Sequence, residues 1–576
     1  MKGLKKVLIM LLCIVMVVGS LSACKKSENN AKDTDGNTTS TDGTTPTEAA
    51  KELVKIDYTQ PVEYTYWLYA TPNDFYSDYS DNPVVWYLNK KFNMTLKFQQ
   101  PAAGTELDSL NLMLGTGEYT DLIDTTQYSY SGSVDQLYDD GIIIDISKYL
   151  DYMPNYKKLL EENDTFRKNT YNDKGQILGL TFMSASDNLM WGGLVYRRDI
   201  LETMTGGNVQ FPSGNVEPTT IEDWDYMLPL MKQYFDGAGM ADSAVLILPS
   251  NGEFPSNDLV GTFGTSVSYF LDNGTVKYGP MEDGFYNYLK KMNEWYKAGY
   301  IYKDFATRTS DPFYLPNTAL TYGGAAGIWF GLESQLGTVM SMPDYGLNVD
   351  VSALKSPIDA ANGKTTAYSN GVFSSSQDEY GSVAVASTCK NVERLLASLD
   401  YLYSEEGSML RAYGLTAEQA AGNEIYEKNG LTDGVYSIAE DGTFKFNDLI
   451  TNAGTGGTLV KDDFASTRLP GLRATKYDVT YATEEDKAAS ATWTAYEADK
   501  IQLPKTLIRT SEENATFSTN DANITNYVNE KMLKFILGTE ELNETTWADF
   551  KAQIVAYGVE DNIAIQQAAY ERYLAR

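Results

Sequence analysis

Val62-Glu63-Tyr64-Thr65-Tyr66-Trp67-Leu68-Tyr69 is a run of aromatic and β-branched side chains with the length and composition of a strand. Asn82-Pro83 follows, a capping residue and then a proline in the first turn, where its missing N–H costs nothing. Val84, Val85, Leu88 and Phe92 then fall on one helical face. Met94 to Phe98 reads as a second strand. Leu107, Leu110 and Leu114 mark a second helix, and Thr120-Asp121-Leu122-Ile123-Asp124 a third strand. Strand, helix, strand, helix, strand is the grammar of a mostly parallel sheet covered by helices.

Upstream of this stretch the chain has a different character. Lys2, Lys5 and Lys6 precede an apolar run, Val7 to Gly19, that is short for a membrane span and has the form of an export signal. The run ends in Leu21-Ser22-Ala23-Cys24, which resembles the lipobox of bacterial lipoproteins. Residues 1–23 are therefore expected to be a signal peptide and Cys24 the lipidated residue. Lys25 to Ala50 has no large apolar side chain, so it cannot bury enough surface to offset its ordering entropy. Residues 24–54 are expected to be a lipidated, disordered tether, suited to the outer face of a Gram-positive cell membrane and fitting a periplasmic lipoprotein as well.

Composition excludes several chemistries. The formal net charge is −32, and loss of the signal would remove three lysines and no acid, so the field would repel nucleic acid. There is no histidine, which removes Ser-His-Asp and Cys-His systems and His-ligated metals. Of three cysteines only Cys389 lies beyond the leader and lipobox, so no internal disulfide can form. Val383 and Val385 alternate with small residues just before it, which predicts a buried strand and an inert thiol. No Walker-type loop or dinucleotide fingerprint is present. Carboxylate-only chemistry survives, since a glycosidase needs two suitably spaced acids, but 78 acidic residues make that signal uninformative.

Further helices are expected around Trp224, Met227 and Met231, opened by a capping box at Thr219-Thr220-Ile221-Glu222. Others run through Tyr286, Leu289, Met292 and Tyr296, and through Val392, Leu395, Leu396, Leu399 and Leu402. Two more carry Val528, Met532, Phe535 and Ile536, and then Trp547, Phe550 and Ile554. These stripes are read as core faces.

Taken in order, several segments resemble family 1 extracellular solute-binding proteins, the large lipoprotein branch serving carbohydrate ABC importers. They are Leu112-Met113-Leu114-Gly115-Thr116-Gly117 before Asp121-Leu122-Ile123, Leu194-Val195-Tyr196-Arg197-Arg198-Asp199, and Pro218-Thr219-Thr220. Trp295 to Tyr300, Tyr322 to Gly327, Tyr401 to Gly407, Ala412 to Leu415 and Ala568 to Tyr573 complete the series. The resemblance implies an α/β, two-lobed, periplasmic-binding-protein-like (type II) fold. Each lobe would be a mostly parallel sheet flanked by helices, the two joined by crossover strands. Residues 55–180 plus about 368–420 would form lobe 1; about 189–362 plus 421–576 would form lobe 2. The implied function is capture of an oligosaccharide in the cleft, without chemical change, for ABC permease subunits in the membrane. The protein would be a monomer with no cofactor and no required metal. A carboxylate-dependent surface glycosidase or lyase, or a sensor or peptide-binding lipoprotein of the same fold, are the alternatives.

A sugar ring needs aromatic faces for its C–H side and Asn, Gln, Asp, Glu or Arg for its hydroxyl rim. Ligands of open α/β sheets bind beyond strand ends. On those grounds Tyr69, Asn73 and Asp74 after the first strand, Gln127 and Tyr128 after the third, and Arg468 in a late irregular segment are candidate contacts. The resemblance adds Trp329, behind the small-residue strand Gly323 to Ile328, and Trp191 near the presumed crossover. Arg197 and Arg198 are read as structural or surface residues. Asn172-Asp173-Lys174-Gly175 and Asp272-Asn273-Gly274 are too short for a calcium loop and read as turns.

Overall fold

The computed structural model describes residues 53–70, 73–125, 134–185, 192–248, 259–307, 320–321, 323–332, 351–368, 382–452, 457–466, 468–477, 484–494, 501–504 and 506–576. The chain opens with β1 (Val62–Trp67), α1 (Pro83–Phe92), β2 (Met94–Gln99), α2 (Glu106–Thr116) and β3 (Leu122–Asp124). Asn82 caps α1 as expected: its side-chain oxygen accepts from the Val84 and Val85 amides at 3.0 and 3.2 Å. Val84, Val85 and Leu88 are buried under it. After α3 (Asp164–Thr170) the short strands β4 (Leu180–Thr181) and β5 (Met183–Ser184) lead out of this first layer.

Next come β6 (Gly192–Arg197), α4 (Ile221–Gly237), β7 (Ala244–Leu246), α5 (Asp283–Lys297), β8 (Ala326–Leu332) and β9 (Val351–Leu354). The chain then returns as β10 (Ser382–Val385), α6 (Val392–Asp400), α7 (Glu405–Tyr413) and β11 (Leu472–Arg473). It finishes with α8 (Glu484–Thr494), α9 (Ser511–Leu537), α10 (Glu544–Ala556) and α11 (Val559–Ala575). No helix among the described residues is long and apolar enough to cross a membrane.

Two sheets organise these elements. The first has the order β2-β1-β3-β10-β4: β1 is parallel to β2 and β3, and β10 is antiparallel to β3 and β4. The second has the order β9-β6-β8-β7 and mixes both senses. Each sheet has its own apolar cluster. Tyr64, Val84, Leu122, Leu180, Val383, Leu399 and Tyr413 share one; Leu194, Trp224, Leu289, Ile328, Met532 and Phe550 share the other. The chain therefore passes between lobes three times: after β5, before β10 and after β11.

Lobe membership departs from the sequence expectation at one place. Residues 421–474 join the first lobe, not the second: Tyr426, Tyr436, Phe444, Phe464 and Leu469 all lie in the first cluster. The reason is aromatic packing. A hairpin, Tyr436–Ile438 with Phe444–Phe446, sets Phe444 5.5 Å from Tyr413, and Phe464 stands 4.5 Å from Phe75. Helices α8 to α11 pack with the second sheet: Ala489 and Trp493 lie with Val195, and Ile524, Phe550 and Val559 with Leu194. The capping box of α4 is also shifted by one residue. Thr220 caps, and its partner is Asp223, whose carboxylate accepts from the amides of Thr219, Thr220 and Ser213. Cys389 is buried and free, and burial pushes its thiol well above the ordinary range.

Candidate functional site: the facing edge of the first lobe

Strand direction locates the site. β10 enters antiparallel to both β3 and β4, with Val383 opposite Asp124 and Ser382 opposite Thr181. The C-terminal ends of β1, β3 and β4 therefore lie along one edge of the first sheet. From that same edge β4 runs on to β5, which pairs with β11 (Met183 with Leu472, Ser184 with Arg473) on the way to the second lobe. The C-terminal ends of β1 and β3 thus lie on the edge from which the chain crosses to the second lobe, the place where α/β sheets hold ligands.

On this edge the loop after β1 is stitched to the segment leading into β11. The Tyr76 hydroxyl donates to the Asp463 carbonyl at 2.7 Å, and the Asn82 amide donates to the Ala465 carbonyl at 2.8 Å. The Arg468 backbone is held from both sides: its N–H donates to the Tyr79 hydroxyl, and the Tyr66 hydroxyl donates to its carbonyl, each at 3.3 Å. Gly471 permits the bend that follows, with φ 157°; a Cβ there would stand 2.8 Å from Leu402. The two segments are distant in sequence, and hydroxyls from the β1 face fix their relation.

Four of the anticipated residues belong to these two joined segments. Tyr69 is half-buried at the end of β1. Asn73 turns its side-chain oxygen back onto the Phe75 and Tyr76 amides, both at 2.9 Å, which fixes the loop and leaves neighbouring Asp74 exposed. Arg468 is half-buried, and no carboxylate among the described residues pairs with its guanidinium. Its charge is felt at the Tyr66 hydroxyl, as is that of Asp124 from the end of β3.

Asp463 was not anticipated. Burial pushes its carboxyl up to about 6, a hydrogen bond with Asn73 opposes the rise, and the charges of Asp462 and Asp74 add to it. The segment around Arg468 reads as irregular, but nothing in the local sequence ties it to Asn73.

The remaining candidates fare differently. Trp329 is 1 % exposed and packs with Val195, Ala244, Val351, Ala489 and Trp493. Strand alternation explains the correction: Ile328 faces the helix-covered core, so Trp329 takes the opposite face, which α8 covers. The ring expected to meet a ligand is part of the packing. Trp191, Gln127, Tyr128 and Cys24 lie outside the described residues. Arg197 is structural as expected, its guanidinium paired with Asp199 at 2.7 Å and donating to the Gly324 carbonyl at 3.0 Å. Among the described residues no cluster of three His, Cys, Asp or Glu could hold a metal ion.

Comparison with known proteins agrees with the architecture. No protein-family model matches the chain, and no curated protein matches it in sequence. Solved structures do match. One is the alginate-binding protein AlgQ2 without calcium ion: 18 % identity, TM-score 0.64, covering 89 % of this chain and 98 % of that one. A second is an HMO-binding, ABC-transporter-associated solute-binding protein from Bifidobacterium longum infantis: 17 % identity, TM-score 0.68, covering 89 % and 99 %. A third is an EF-hand mutant of the S. pneumoniae ABC-transporter substrate-binding protein FusA in complex with fructo-nystose: 18 % identity, TM-score 0.63, covering 90 % and 100 %. The likeness extends over essentially the full length of each neighbour, and the chain has the two-lobed α/β fold of the carbohydrate solute-binding proteins.

Proposed function

We propose that the protein is the extracytoplasmic substrate-binding component of an ABC importer, closing its two lobes on an oligosaccharide and releasing it chemically unchanged. The observation that carries this reading is the joining of the loop after β1, which holds Asn73 and Asp74, to the segment of Asp463 and Arg468 on the edge of the first sheet from which the chain crosses to the second. That edge offers donors and acceptors for hydroxyls in a cleft setting, and the neighbours of the same fold are oligosaccharide-binding proteins. Arg468, Asp74 and Asp463 bind the hydroxyl rim, with Tyr69 against a sugar face. Closure is a hinge motion driven by contacts to both lobes at once.

The other parts follow from the leader. Cys24 carries the lipid, residues 25–54 form the tether, and the monomeric binding domain works at the outer face of the membrane beside its permease subunits. The experiment is a thermal-shift and calorimetric screen with xylo-, manno-, arabino- and galacturono-oligosaccharides, followed by analysis of the recovered sugar. Saturable binding with an intact sugar is expected. New reducing ends or unsaturated products would instead identify a glycosidase or lyase, for which the raised Asp463 carboxyl would be the acid.

A further inference from the structure

The turn Asn172-Asp173-Lys174-Gly175 has a use that neither the cleft nor any metal accounts for. It follows α3 in the first lobe, where Phe166 is in the core and the Thr170 hydroxyl is 3.3 Å from that of Thr181 at the end of β4. Asn172 is buried and fixes the turn by accepting from the Lys174 and Gln176 amides at 3.0 and 2.9 Å while donating to Asp135 at 2.8 Å. Asp173 is thereby presented in one orientation, next to the strand that leads into the first crossover.

Both of its oxygens are taken by arginines from the far end of the second lobe. Arg572 Nε donates to Oδ2 at 2.9 Å and Arg576 Nε donates to Oδ1 at 2.8 Å; Arg576 Nη2 stands 2.7 Å from Oδ1 as an ion-pair contact only. α11, which carries them, belongs to the second lobe: Val559 is in that core and the Asn562 amide donates to the Tyr269 hydroxyl at 3.0 Å. Neither arginine is a loose surface charge. Arg572 also grips Glu513 at the start of α9 and the Ile508 carbonyl. The Arg576 side chain is 2 % exposed and donates to the carbonyls of Lys168 and Thr506. Arg167 of the first lobe returns a bond to the main-chain oxygen of Arg576, and Thr506 reaches Asn169 at 2.7 Å.

We propose that Asp173, Arg572 and Arg576 form a non-covalent clasp between the lobes, a fourth link beside the three crossovers, which confines lobe motion to rotation about the hinge. An isolated exposed ion pair would contribute too little to do this. Here one carboxylate meets two guanidiniums, one on each oxygen and one of them shielded from water, so salt screens the contact weakly and the two directed bonds restrict orientation. Coming from a strand-edge turn and a terminal helix, the clasp blocks twisting of the lobes about the crossovers and leaves bending free. The proposal rests on the two-lobed binding reading, but it can be tested without any ligand.

The test is hydrogen exchange on the ligand-free full chain, wild type against Asp173→Ala. Exchange at the clasp itself must rise and decides nothing. The informative segments are residues 183–192 and 472–484, none of whose described residues is hydrogen-bonded to Asp173. Exchange there is expected to rise about tenfold, because the crossovers lose the restraint on sub-global opening. Lys174→Ala, which removes an ion pair to Asp139 inside the first lobe, should leave both segments unchanged. Asp173→Asn keeps the shape and one acceptor oxygen, and should give the same pattern at smaller amplitude, so the outcome does not hang on the alanine variant. Unchanged exchange in both crossover segments for a folded Asp173→Asn or Asp173→Ala protein overturns the clasp while leaving sugar binding untouched.

Discussion

Asp463 shows how a single carboxyl can report on the candidate site. Its pKa stands at about 6 against an ordinary value of 3.8. The folded state therefore holds the proton more tightly than the unfolded chain, and the stability that this tighter proton hold provides is present at low pH. It is lost as pH rises from 3.8 through about 6, after which the cost of a half-buried charge is complete. Asp463→Asn removes that titration and can keep the contact with Asn73. The variant should gain about 1–2 kcal/mol over wild type on going from pH 4.5 to 7.5, by urea unfolding at the two values. An equal gap at both would place the carboxyl in water. Arg468 makes the complementary case. Its fold-holding bonds come from its own N–H and carbonyl, which alanine retains. Arg468→Ala should leave the melting temperature unchanged and weaken the best-binding glycan of the screen by about 10- to 100-fold, the value of charge-assisted bonds to hydroxyls. Calorimetric titration measures the loss. Equal affinity would remove Arg468 from the contact set.

At the scale of elements, periodicity was a good guide where one helix or strand buries one face. β1, α1, β2, α2 and β3 follow the apolar spacing of residues 62–124, and Leu395, Leu396 and Leu399 form the buried stripe of α6. Where burial has two sides the pattern was silent. The resemblance implied that Trp329, behind a small-residue strand, meets the ligand, but those small residues serve a different contact: a Cβ on Gly327 would lie 2.6 Å from the Val245 carbonyl. Residues 421–474 were misplaced for a similar reason, since their short helices and hairpin are held by rings such as Phe444 and Phe464, whose partners are far away in sequence. Trp493 is the clearest element-scale contact that spacing does not reveal. It seats α8 on β6 by donating its indole N–H to the Leu194 carbonyl at 2.9 Å while lying flat over Gly193, where a Cβ would be 2.6 Å from the ring. Gly193→Ala should destabilise the second lobe by about 1–3 kcal/mol through overpacking. Its cost should largely vanish in a Trp493→Ala background, since the clash then has no partner. Chemical denaturation of the two single variants and the double variant measures the coupling, and additive effects would mean that the ring can move aside.

For the whole molecule, the arrangement of cores matters more than any contact. Two apolar clusters are built from interleaved segments, so neither lobe is a continuous piece of chain, yet each has its own sheet and its own buried rings. Heating the ligand-free protein should produce two calorimetric transitions, one per core, with Gly193→Ala lowering only that of the second lobe. A ligand held by one lobe would raise one transition. A ligand gripped by both must raise both, because its binding free energy is lost when either lobe melts. At a sugar concentration 100 times the dissociation constant the native state gains about 2.7 kcal/mol, and the two transitions should move upward together or merge. A shift confined to the first-lobe transition would mean that the polar edge at Asn73, Asp463 and Arg468 binds by itself, with no closure of the second lobe over the ligand.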